Sequence, residues 1–114
     1  MFIKNRDILL SGDIPEENRE LRAILIDALE IALDAVRPRI LVRNAVVIDK
    51  NKLKIHDFTL DSTQFQRCII IGGGKANADM VAELQKILTS YGKIPFDGII
   101  NIPKGLNIDD KNFS

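Results

Sequence analysis

Three glycines followed by a lysine form the stretch of this 114-residue chain with the clearest chemical meaning: Ile69-Ile70-Ile71-Gly72-Gly73-Gly74-Lys75-Ala76-Asn77. Glycines between an apolar strand and a helix let the backbone turn sharply, take positive φ and bring N–H groups against a ligand. A helix start adds unpaired donors and partial positive charge at the same place. Lys75 contributes a full charge on a flexible stem. Such a site takes an anion, either phosphate or carboxylate. Two familiar motifs fail here. A P-loop has glycine five residues before its Gly-Lys pair and Ser or Thr after it, where this chain has Ile69 and Ala76. A dinucleotide turn spells Gly-x-Gly-x-x-Gly; Gly72 and Gly74 fit, and Asn77 stands in the third place. The plainer alternative is a tight βα turn with Lys75 solvated.

A second candidate is Lys104-Gly105, which follows another apolar run and falls at the same carboxyl edge, where open α/β sheets bind ligands. The other reactive residue types read as structural. His56 is the single histidine and sits beside Asp57 at a hairpin end. Cys68 reads as a small core residue. Arg37, Arg39 and Arg43 complement a helix end as a solvated face. Asp109-Asp110 reads as a solvated pair, and no metal site is assigned.

The elements that position these residues follow from periodicity. Asn5 caps a short helix ended by Ser11-Gly12. Asp13-Ile14-Pro15-Glu16 resembles a helix start, and Leu21, Leu25, Ala28, Leu29, Ala32 and Val36 follow at helical spacing until Arg37-Pro38 ends the run. A short turn over residues 38–43 comes next. Val46 and Ile48, then Leu53 and Ile55, alternate across a polar turn and predict a β-hairpin; residues 57–66 read as a polar loop. Residues 67–71 predict a strand buried on both faces. A second amphipathic helix is expected from Lys75 to Tyr91, with Gly92 as its stop, and a further strand over residues 97–102. This is an α/β pattern: a partial Rossmann-like three-layer domain with one parallel strand–helix–strand unit, an N-terminal helical segment and a hairpin. Composition suggests no interior boundary. Two parallel strands are few for a doubly wound core, so residues 1–114 read as the front part of a longer α/β domain.

Composition narrows the partners. Sixteen basic residues balance sixteen acidic ones, which excludes the large positive field of a nucleic-acid-binding chain. No apolar run approaches the roughly 20 residues of a membrane helix, and the first residues do not resemble a secretory signal. One cysteine excludes an internal disulfide framework. A cytoplasmic chain with a small-molecule partner is expected. Self-association is compatible with the apolar surface a shortened chain would expose.

Three segments, in order, resemble the N-terminal part of glycerate 2-kinases of the MOFRL-containing type. They are the helix through Ala28-Leu29-Glu30 to Val36-Arg37-Pro38, the Gly72-Gly73-Gly74-Lys75-Ala76 turn followed by Met80, and Gly98-Ile99-Ile100-Asn101-Ile102-Pro103-Lys104-Gly105. The resemblance spans about residues 3–106. It implies an enzyme that transfers the γ-phosphoryl group of ATP, with Mg²⁺, to the 2-hydroxyl of D-glycerate. It implies Lys75 as the catalytic, anion-contacting lysine, with Gly72, Gly73, Gly74, Asn77, Lys104 and Gly105 lining the substrate or phosphate site. Family members are several times longer, so the chain is expected to be inactive by itself. Two other readings stand beside this one: an NAD(P)H-dependent hydroxypyruvate reductase, and a non-catalytic anion-binding or assembly module.

Overall fold

The computed structural model describes residues 1–108 and Phe113, and it divides into two compact units, residues 1–37 and 38–114. The first unit holds helix α1 (Arg6–Leu10) and helix α2 (Glu16–Ala35). Pro15, rather than Asp13, stands at the N-cap of α2 and gives it no side-chain cap. The Glu30 carboxylate instead gathers the chain's start, accepting from the N–H groups of Phe2 (2.8 Å) and Ile3 (2.6 Å). Those bonds hold its carboxyl below the usual carboxylate range. Arg37 closes the unit, its guanidinium 5.4 Å above the Phe2 ring.

The second unit begins at Pro38, a favoured first residue of a helix. The turn expected there is a full helix, α3 (Pro38–Ala45). Strands β1 (Val46–Asp49), β2 (Lys52–Ile55) and β3 (Phe58–Asp61) then form an antiparallel meander with Leu53 buried opposite Leu60. Lys50 and His56 open its two-residue turns with φ of 54° and 51°, the positive values that tight hairpins demand. The expected hairpin has therefore gained a strand. Residues 58–61 read as loop because all but Asp61 are exposed, so β3 is held by its ladder without an alternating burial pattern. A 3₁₀ turn over Ser62–Gln64 follows, capped by the Asp61 carboxylate, which accepts from Thr63 N–H at 2.9 Å.

Strand β4 (Cys68–Gly73), helix α4 (Asn77–Tyr91) and strand β5 (Phe96–Asn101) make the parallel unit. Its register pairs Ile70 with Gly98 and Gly73 with Asn101. Gly92 ends α4 in the left-handed conformation, φ 68°. Gly98 lies flat against β4, where a Cβ would come 2.0 Å from the Ile70 carbonyl oxygen. Phe113 adds a single parallel bridge at Gly98, and its ring lies 6.2 Å from that of Phe96. Val42, Val81, Leu88 and Ile94 form the core.

Within their own unit, and among the described residues, the strands are covered on one face only, contrary to the expectation of burial on both. Burial alternates along β4 and β5, leaving Ile69, Ile71 and Ile99 58, 83 and 68% exposed. A single crossover helix can cover only one side of a two-stranded sheet. The whole is α/β, consistent with part of a Rossmann-like fold. Among the described residues no helix is long and apolar enough to cross a membrane.

Candidate functional site

Parallel pairing puts the ends of β4 and β5 at one edge, and both loops that carry candidate residues leave from it. Helix α4 starts two residues later than expected because Gly74, Lys75 and Ala76 are used by the turn, closed by Asn77 N–H donating to the Gly74 carbonyl at 3.2 Å. The glycines differ in role. Gly74 takes φ 116°, which side chains resist; Gly72 has an ordinary φ, but a Cβ there would meet Asn77 Oδ1 at 2.3 Å; Gly73 has open space and no positive φ. Packing therefore explains Gly72 and backbone conformation explains Gly74. Gly73 is the glycine that neither explains.

Asn77 is buried, and its Nδ2 donates to the Asn101 carbonyl at 3.3 Å. Its amide is thus engaged in joining the glycine turn to the end of β5, which is why a side chain can occupy the third position of a dinucleotide fingerprint here. Lys75 is exposed at the mouth of a pocket of about 790 Å³ that runs along α4 past Asp79, Ala82 and Lys86 and is closed by Leu106, Asn107 and Ile108. Gly72, Gly73, Gly74, Asn77, Lys104 and Gly105 do not line it. Lys104-Gly105 forms an exposed turn with Gly105 at φ 92°, closed by Leu106 N–H to the Pro103 carbonyl at 3.2 Å. The expected site residues thus share one edge, and Lys75 alone among them opens into the pocket.

Charge at this edge comes from α4 as well as from Lys75. The first-turn N–H groups of a helix lack intrahelical partners, and Ala76 supplies no side-chain cap. Asp79 in that turn offsets some of the positive field, and Arg39 returns it by donating to Asp79 Oδ1 at 3.1 Å. One turn further on, Arg43 Nε donates to Glu83 Oε1 at 2.8 Å. Glu83 is buried, and the Arg43 bond holds its carboxyl below the usual range. Arg39 and Arg43 are therefore ion-pair partners between two helices, where their sequence suggested a solvated helix end. The signal was legible: Arg39/Arg43 and Asp79/Glu83 each stand four apart, on one helical face.

The remaining expectations resolve simply. His56 is exposed, its Nδ1 3.0 Å from Asp57 Oδ2. Cys68 is half-buried, and burial pushes its thiol up. Asp109 and Asp110 lie outside the described residues. Among the described residues no three His, Cys, Asp or Glu side chains converge as a metal site.

A family model described as a domain of unknown function (DUF4147) matches residues 24–113. Comparison with curated proteins and with solved structures returns no match.

Proposed function

The chain belongs to the DUF4147 family, the N-terminal domain of MOFRL-family proteins of glycerate kinase/hydroxypyruvate reductase type, and from that premise we propose that it forms the acid-binding part of a D-glycerate 2-kinase. In that reaction the bond between the γ-phosphorus of ATP and its bridging oxygen breaks. A bond to the glycerate 2-oxygen forms, the hydroxyl proton is released, and 2-phosphoglycerate and ADP result. The observation that supports this reading is an exposed lysine at a glycine turn and helix start, on the carboxyl edge of a parallel strand pair.

Phosphoryl transfer asks a protein chiefly for positioning and for positive charge around spreading negative charge. Lys75 holds the carboxylate or the phosphate by its ammonium, the open side of Gly73 lets the anion reach the backbone, and the first turn of α4 adds aligned N–H dipoles. Asn77 keeps the turn and the end of β5 at a fixed distance. Lys104, on the second loop from that edge, adds a further positive charge. ATP is accompanied by Mg²⁺ in such chemistry. The described residues do not gather a ligand set for that ion.

An NMR amide titration of the 114-residue chain tests the reading, with D-glycerate, 2-phosphoglycerate, ATP·Mg²⁺ and NADH as ligands and Lys75→Ala as control. Saturable shifts at residues 72–77 with glycerate or its phosphate, lost in the variant, support the acid-binding role. Shifts with NADH alone transfer the site to a reductase. In a complete enzyme carrying this domain, Lys75→Ala should lower turnover at least tenfold, about 1.4 kcal/mol of transition-state stabilisation. Unchanged kinetics there remove Lys75 from the mechanism.

A further inference from the structure

The pocket that Lys75 opens contains its own competitor for an anion. Among its described lining residues three side chains carry charge: Lys75, Asp79 and Lys86. All three belong to the second unit. Asp79 stands four residues beyond Lys75, in the first turn of α4, and its side chain is 46% exposed. A carboxylate so placed can do to the Lys75 ammonium what a bound carboxylate or phosphate would do. Being tethered, it competes at an effective concentration that a dilute ligand does not match. Lys75 and Asp79 nevertheless form no ion pair with each other. Asp79 Oδ1 accepts instead from Arg39 Nη2 at 3.1 Å.

Arg39 reaches Asp79 from α3. Pro38, the residue before it, lines the pocket, whereas Arg39 does not. Its guanidinium therefore meets Asp79 and not a ligand. The next carboxylate along α4 is already engaged: Glu83 accepts from Arg43 at 2.8 Å and stands 4.0 Å from the Lys86 ammonium. With Arg39 in place, the pocket offers the charges of Lys75 and Lys86 beside a carboxylate that is neutralised from outside the lining. Without Arg39 that carboxylate is uncompensated and free to turn to Lys75.

We propose that Arg39 is a positioning residue of the anion site, which holds the Asp79 carboxylate away from Lys75 and so keeps the lysine open to substrate. This inference rests on the acid-binding reading above. Its consequence is selectivity by charge. A neighbouring carboxylate repels a ligand in proportion to the ligand's own charge, so the phosphorylated acid depends on Arg39 more than D-glycerate does.

NMR titration with D-glycerate and with 2-phosphoglycerate tests this on four full-length chains: the parent, Arg39→Gln, Asp79→Asn and the double variant. Both side chains are at least 40% exposed and the Arg43–Glu83 pair remains in every variant, so urea midpoints should show the fold retained. Arg39→Met, which keeps the apolar stem, serves if Arg39→Gln unfolds. Arg39→Gln should weaken 2-phosphoglycerate binding about three- to tenfold, the effect of one uncompensated charge in a partly solvated site, and D-glycerate binding by less. Asp79→Asn should bind at least as tightly as the parent. The double variant should recover the loss, because no carboxylate remains to be held. A merely structural role would instead weaken both acids alike, and Asp79→Asn would add to the loss. Unchanged affinity in Arg39→Gln, equal losses for the two acids, or a double variant no better than Arg39→Gln overturns the role of Arg39. A parent chain that binds neither acid overturns the acid-binding reading itself, and this inference with it.

Discussion

Alanine placed at each of the three adjacent glycines should give three different results. At Gly72 the new Cβ would lie 2.3 Å from Asn77 Oδ1 and 3.0 Å from its Cγ. Asn77 is short and buried, so relief requires it to swing out and give up its bond to the Asn101 carbonyl. Overpacking of this kind costs about 1–3 kcal/mol, and the lost bond adds about 1 kcal/mol. Gly72→Ala should therefore destabilise the second unit by roughly 2–4 kcal/mol. Gly74→Ala meets no atom but must hold φ 116°, a strain of about 1–3 kcal/mol. At Gly73 neither cost applies, and alanine should be neutral or stabilising by about 0.4–1 kcal/mol through the unfolded chain. Urea unfolding followed by circular dichroism gives the order directly, provided the slopes agree. The same variants then separate stability from binding. Gly73→Ala puts a methyl group on the open side of the turn and should weaken glycerate binding without lowering the midpoint. Combining Gly72→Ala with Asn77→Ala removes the clash, so the double variant should be less destabilised than the two singles predict, by about 1 kcal/mol or more. Equal midpoint losses at Gly72 and Gly73, or strict additivity in the double variant, would refute the reasoning.

Three further outcomes follow from other contacts. Gly98→Ala would drive a Cβ to 2.0 Å from the Ile70 carbonyl oxygen, a backbone atom that cannot step aside; we expect a loss of about 3 kcal/mol or more and faster hydrogen exchange along β4 and β5. Glu83 titrates below the usual carboxylate range because Arg43 bonds it, so its contribution is present above the unfolded-state value and is lost as pH falls through the lower folded-state value. Glu83→Gln should flatten that part of the acid-unfolding profile, as read from midpoints at successive pH. The Cys68 thiol, pushed up by partial burial, should react with a thiol reagent at neutral pH more slowly than a free cysteine, measured by the rate of colour release with a disulfide dye.

Much of the architecture was legible because it rests on local signals. Gly92 stops α4, the Ile69-Ile70-Ile71 run forms β4, and the strand–helix–strand order follows from the change of period. Other features depend on neighbours that periodicity does not encode. β3 carries Phe58 and Leu60 on a surface that stays exposed, so its alternation has no burial to reveal it. The one-sided cover of β4 could not be read from three consecutive isoleucines, since such a run describes a strand fit for two faces whether or not both are occupied. At the site, the sequence located the glycine turn and Lys75 but not the division of labour among the glycines. That division depends on where Asn77 points, and its bond to the Asn101 carbonyl is a contact between segments that spacing does not encode.

The two arginine–carboxylate pairs between α3 and α4 act together as a vernier. Arg39 meets Asp79 and Arg43 meets Glu83 in the same order along both helices, with rungs one turn apart. Sliding α3 by a full turn, about 5.4 Å, would leave one rung matched and strand the other two charges, the buried Glu83 among them when the slide is toward the start of α4. Sliding it by half a turn would leave none matched. The pairs therefore select an axial position, a property that apolar packing of leucines and valines specifies only loosely. Because α3 leads straight into the meander and α4 into β5, that choice fixes the spacing between the two sheets. A substitution that halves the ladder should blur that spacing before it unfolds either sheet.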